Sequence, residues 1–118
     1  MNNIFVFGTL KKGFYNHTRF NFDKNTKFIK DVELAGYKMH DLGQYPCIKK
    51  TGAPGDIIHG EIYTYLDKDT QGIISRMESS AGYAPETVTI DGIEAVVYIY
   101  MGKRTSPVIK SGKWEKKI

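Results

Sequence analysis

Residues 4–13, Ile4-Phe5-Val6-Phe7-Gly8-Thr9-Leu10-Lys11-Lys12-Gly13, decide the reading of this chain. Four apolar residues in a row predict a buried strand. Gly8 follows, where a residue without a Cβ lets the backbone turn and lets a ligand come close to the amides. Lys11 and Lys12 add positive charge, so the segment reads as a strand running into a loop that suits an anion. It is neither a Walker loop nor a dinucleotide fingerprint, because GxGxxG and a GK[ST] ending are both missing.

Outward from this strand the chain reads as mostly strands with one clear helix. Residues 16–22 form a short helix or a loop that carries Phe20 and Phe22 into the core. Extended stretches are predicted at 27–39, 45–49 and 57–66, separated by the turn-rich Asp41-Leu42-Gly43 and Thr51-Gly52-Ala53-Pro54-Gly55. Within the last of these, Ile62, Thr64 and Leu66 alternate with Tyr63 and Tyr65. At Asp67 the period lengthens: an N-cap aspartate, Asp69 in the first turn, and Ile73, Ile74 and Met77 at helical spacing predict a helix to about residue 77. Glu78, four residues after Ile74, falls at the rim of that apolar face. A carboxylate there is partly desolvated, which raises its pKa and suits it to proton transfer near neutral pH; a helix-end glutamate turned to water is the other reading. Two strands, 83–90 and 93–101, close the body around the hairpin pair Asp91-Gly92. The expected fold is α+β: a small mixed, mainly antiparallel β-barrel with one or two flanking helices.

With 118 residues the chain is expected to hold one domain over residues 1–101 and a basic C-terminal tail over 102–118. Its 41% hydrophobic and 25% charged residues fit a soluble globular protein, and no apolar run approaches the ~20 residues of a membrane helix. No signal-peptide pattern opens the sequence and Cys47 is its single cysteine, so a cytoplasmic, monomeric protein without disulfides is expected. The net charge of +4 is concentrated in the tail, which carries +5 and leaves the body near −1. With no basic stripe on the body, nucleic acid is not an expected partner. Trp114 is expected to anchor the tail to the body. His17, His40 and His59 lack metal-ligand spacing, so no metal site is expected, and Cys47 reads as a buried, inert thiol.

Taken in order, these segments resemble the gamma-glutamylcyclotransferase family, in its AIG2-like branch. Phe5 through Gly13 with Asn16 is similar to that family's Y-G-[TS]-L-x-x-G-x-x-N opening, Tyr45-Pro46 to its tyrosine-proline pair, and Gly60-Glu61-Ile62-Tyr63 to its G-E-[LIV]-Y strand. Ile74-Ser75-Arg76-Met77-Glu78 falls where the family has L-D-x-x-E, and Tyr83 where it has its next tyrosine. The resemblance implies a cavity between the Gly8 loop and Glu78, with Phe7, Gly8, Thr9, Leu10, Tyr45 and Tyr83 binding substrate and Glu78 as the catalytic residue. It implies a small γ-glutamyl amine or amino-acid derivative as substrate, 5-oxoproline as product, and neither cofactor nor metal. A catalytically weak small-anion binder on the same scaffold is the alternative. Three positions depart from the pattern: Phe7 lacks a tyrosine hydroxyl, Ser75 replaces an aspartate, and Ser79 replaces a glycine and is expected to crowd the substrate.

Overall fold

The computed structural model describes residues 2–116, so Met1, Lys117 and Ile118, the last two from the basic tail, lie outside the described residues. In chain order its elements are β1 (Asn3–Val6), α1 (Tyr15–Arg19), α2 (Phe22–Asn25), β2 (Thr26–Ala35), β3 (Tyr37–Asp41), β4 (Pro46–Lys50), β5 (Ile57–Tyr65), α3 (Lys68–Ser80), β6 (Tyr83–Ile90), β7 (Ile93–Tyr100) and β8 (Val108–Ile109). A five-stranded sheet runs β2-β5-β1-β7-β6 and a three-stranded sheet runs β4-β3-β8. β1 lies at the centre of the larger sheet, antiparallel to β5 and parallel to β7.

That central place explains the unbroken apolar run. Ile4 and Val6 point into a cluster with Leu10, Phe22, Tyr63 and Ile74, which seats α2 and α3 on one face of the sheet. Phe5 and Phe7 point the other way, into the larger core with Ile58, Ile62, Val97 and Trp114. A strand covered on both faces has no reason to alternate with polar residues.

The α+β architecture expected from the sequence holds, but the sheets are open rather than closed into a ring of ladder bonds. The outer strands β2 and β6 meet through side chains instead: Lys30 Nζ lies 3.1 Å from Asp91 Oδ2, next to β6, and Tyr37 Oη, just beyond β2, donates to Glu86 at 3.4 Å. The stretch expected at 27–39 is two strands, because Gly36 takes a φ of +90° and turns the chain into the second sheet. In that turn Gly36 donates to Asp56 O at 2.7 Å and accepts from the Thr51 amide at 2.7 Å. The Asp91-Gly92 hairpin forms as expected, both residues having positive φ.

The basic C-terminal segment is built into this fold. β8 pairs with β3, the His59 amide donates to Gly112 O at 2.8 Å, and Trp114 is 1% exposed within the larger core. Trp114 therefore anchors the segment, as the sequence suggested. The boundary drawn at 101/102 marks a change in charge and not a gap in the packing.

Candidate functional site

The loop after β1 is held through its carbonyls. Gly8 O accepts from the Lys11 amide at 3.1 Å, and Thr9 O accepts from the amides of Asn16 at 3.0 Å and His17 at 3.1 Å. Asn16 also donates from its side chain to Thr9 Oγ1 at 2.8 Å. The buried His17 ring packs against the rings of Phe22 and Tyr63, which also touch each other, with Nδ1 2.8 Å from Leu10 O and Nε2 2.9 Å from Asp23 Oδ1. From β5, Glu61 accepts the Lys12 amide at 2.9 Å and the Tyr63 hydroxyl at 2.8 Å. Among the described residues, none of these loop bonds uses the amides of Gly8, Thr9 or Leu10.

Two glycines are required here by close approach. A Cβ on Gly8 would meet the Pro46 ring at 2.7 and 2.8 Å, so this glycine admits the proline as well as freeing the loop. A Cβ on Gly60 would collide with Val6 O and with the Phe5 ring at 2.6 Å, which explains the glycine inside a strand.

α3 supplies the carboxylate. Asp67 caps it, its Oδ1 accepting from the Thr70 amide at 2.7 Å, and the helix continues past the expected end near residue 77 to Ser80. Thr70 and Ile74 face inward, and Glu78 follows on the same side of the helix, each four residues after the one before. Ile73, expected on that face, is turned to solvent instead. Desolvation pushes the Glu78 carboxyl up to about 7, with no cation paired to it among the described residues. The surrounding groups are phenols: Tyr65, Tyr83 and Tyr98 are all held above their ordinary range, first by burial and also by the Glu78 charge.

Loop and helix face each other across a cavity of about 460 Å³. It brings together all seven residues singled out in the sequence: Phe7, Gly8, Thr9, Leu10, Tyr45, Glu78 and Tyr83. Glu78 is the one carboxylate among the described lining residues. Phe7 belongs both to this wall and to the larger core. The Tyr83 hydroxyl is committed, donating to Pro46 O at 2.7 Å, so Tyr83 offers ring surface and fixes the Tyr45-Pro46 segment. Tyr45 stacks edge-on against it, with centroids 6.3 Å apart, and is partly open to solvent.

The departures noted in the sequence sort differently once placed. Ser79 is exposed and does not line the cavity, so the expected crowding of the substrate does not arise; it lies one residue, or about 100° of helix, away from Glu78. Ser75 hydrogen-bonds Tyr98, a lining residue next to Glu78 that sequence reasoning did not select. Arg19 and Lys116 also line the cavity and were not selected, because spacing within α1 or the C-terminal segment carries no trace of a cavity formed by distant elements.

Cys47 is fully buried, with its thiol raised chiefly by that burial. Among the described residues no three His, Cys, Asp or Glu side chains gather as a metal site, and no helix is long and apolar enough to cross a membrane.

A protein-family model described as gamma-glutamyl cyclotransferase, AIG2-like, matches residues 4–116. A Vibrio cholerae serotype O1 protein named "Putative gamma-glutamylcyclotransferase" is 30% identical over 114 residues, covering 94% of this chain and 93% of that protein. An uncharacterised Pyrococcus horikoshii protein of known crystal structure superposes with a TM-score of 0.79 at 27% identity, over 96% of this chain and 89% of that one. A mouse AIG2-like protein superposes with a TM-score of 0.76 at 20% identity, over 93% and 86% of the two chains, which is a likeness of fold.

Proposed function

The chain belongs to the gamma-glutamyl cyclotransferase, AIG2-like family, and from that premise we propose that it cyclises a small γ-glutamyl compound to 5-oxoproline and releases the free amine. The observation that carries this reading is a half-buried carboxylate, Glu78, the one carboxylate among the described lining residues, raised to about 7 by desolvation and facing a loop of unspent amides across a cavity. A group that titrates near neutrality is suited both to take a proton and to return it.

In this reading the Gly8, Thr9 and Leu10 amides receive the substrate α-carboxylate and fold the glutamyl chain back on itself, which supplies proximity. Glu78 removes a proton from the α-ammonium. The freed amine attacks the γ-carbonyl carbon, a nitrogen–carbon bond closes the five-membered ring, and the bond from that carbon to the departing nitrogen breaks. Glu78 passes its proton to the departing nitrogen. The ring nitrogen sheds a further proton as it becomes an amide and the amine gains one as it leaves, so the step balances with no water consumed and no change of oxidation state. Phe7, Tyr45 and Tyr83 form the apolar walls that keep water from the reacting atoms.

The test is 5-oxoproline release from a panel of γ-glutamyl compounds by wild type and Glu78→Gln. Turnover is expected from wild type and a fall of roughly 10² to 10⁴ in the variant. Binding of these compounds without release by wild type would replace the enzyme with a small-anion binder.

A further inference from the structure

Among the described residues two cationic side chains, Arg19 and Lys116, line the cavity, and one of them is already engaged. Lys116 Nζ donates to Gly43 O at 2.7 Å and lies 3.3 Å from Asp41 Oδ2. Arg19, at the C-terminal end of α1, has no carboxylate oxygen within 4.0 Å among the described residues. Its guanidinium carbon sits over the Phe20 ring, 5.0 Å from the centroid, and 6.0 Å from that of Tyr15. A guanidinium held near aromatic rings by its charge keeps its N–H donors for a planar anion.

We propose that Arg19 determines specificity by receiving a carboxylate on the departing amine, so that the preferred substrates are γ-glutamyl amino acids rather than γ-glutamyl amines of the same skeleton. The proposal rests on the cyclisation reading above and follows from depth. The glutamyl group brings one carboxylate, which the loop amides take, and its γ-carbonyl must reach the desolvated Glu78. The glutamyl half therefore fills the inner end of the cavity and the leaving group points to the mouth. Arg19 is exposed to solvent while still lining the cavity, which sets it at that mouth. A second substrate carboxylate there is repelled by ionised Glu78 and needs an unpaired cation to hold it, and Arg19 is that cation.

The experiment compares γ-glutamyl-alanine with γ-glutamyl-ethylamide, since ethylamine is alanine without its carboxylate. Wild type is expected to favour the alanine compound by about 10- to 100-fold in kcat/KM, the range of one charge-assisted hydrogen-bonded pair. Arg19→Gln is expected to bring the ratio towards one, chiefly through KM of the alanine compound, and Arg19→Lys to recover part of it. No discrimination by wild type, or an equal loss on both compounds in Arg19→Gln, would overturn the proposal, the second result assigning Arg19 to the glutamyl carboxylate or to the fold. If wild type released 5-oxoproline from neither compound, the cyclisation reading would fail by itself. Calorimetric affinities for the same pair would then decide: an Arg19-dependent preference for the alanine compound upholds the carboxylate site, and equal affinities overturn it.

Discussion

Replacing Glu78 by Gln is expected to make the protein more stable as well as inactive, and both effects come from the same desolvation. Burial lifts this carboxyl from 4.5 in the unfolded chain to about 7 in the fold. That rise corresponds to about 3 kcal/mol, taken as a ceiling because the side chain is not wholly sealed from water. Below pH 4.5 both states carry the proton and Glu78 costs nothing. Between pH 4.5 and 7 the unfolded chain ionises while the folded protein stays protonated, so stability falls as pH rises. Above pH 7 the folded protein also ionises and the full cost is present. Glutamine is neutral throughout, so the variant's advantage grows from near zero at pH 4.5 to as much as about 3 kcal/mol at pH 8. For a domain of this size that is a rise of roughly 10 °C in Tm. Thermal unfolding of both proteins at pH 4.5, 6 and 8 measures it, and taking the difference at each pH cancels every other titrating group. A difference that stays flat with pH, or a variant less stable than wild type at pH 8, would refute the claim that Glu78 is a desolvated carboxylate.

Two further outcomes follow from the packing. Gly8→Ala would drive a Cβ into the Pro46 ring, so a loss of about 1 to 3 kcal/mol is expected in denaturant unfolding, with KM rising as the loop shifts. Trp114→Ala empties the largest buried side chain of the core and is expected to cost about 3 to 5 kcal/mol, which chemical denaturation would show as a lower midpoint at unchanged slope.

What the sequence disclosed was whatever a short window encodes. An apolar run between turn residues, an Asp-Gly pair between alternating strands and a capping aspartate each carry their own physics, and β1, the β6–β7 hairpin and α3 appear where those signals stand. The break at Gly36 was hidden because a single glycine inside an apolar stretch is compatible with a strand until its φ is known. β8 was hidden because two residues pairing with a strand some seventy positions earlier leave no local period. Alternation carried the strand to Leu66, on one face with Ile62 and Thr64, yet β5 ends at Tyr65 and Leu66 is 61% exposed. The site divides the same way. Gly8 and Glu78 were legible from chemistry at element ends and from ordered motifs, whereas Arg19, Tyr98 and Lys116 enter the cavity through tertiary packing alone.

Packing also ties the two ends of the chain to the candidate site. Lys11, only 6% exposed, donates from Nζ to Trp114 O at 2.9 Å, and its ammonium lies 5.0 Å from the Phe14 ring centroid. Burial lowers its pKa, opposed first by the nearby Glu61 charge. Glu61 in turn holds the Lys12 amide, so the second half of the Gly8–Gly13 loop is fixed by one contact from β5 and another from the C-terminal segment. Beyond Trp114 the chain continues to Lys116, which clasps the Asp41–Gly43 turn and closes one side of the cavity. A truncation before Ser106 would therefore remove a core side chain, the partner of Lys11 and part of the cavity wall together. The segment that composition marks as a detachable basic tail is physically the strap that sets the shape of the loop opposite Glu78.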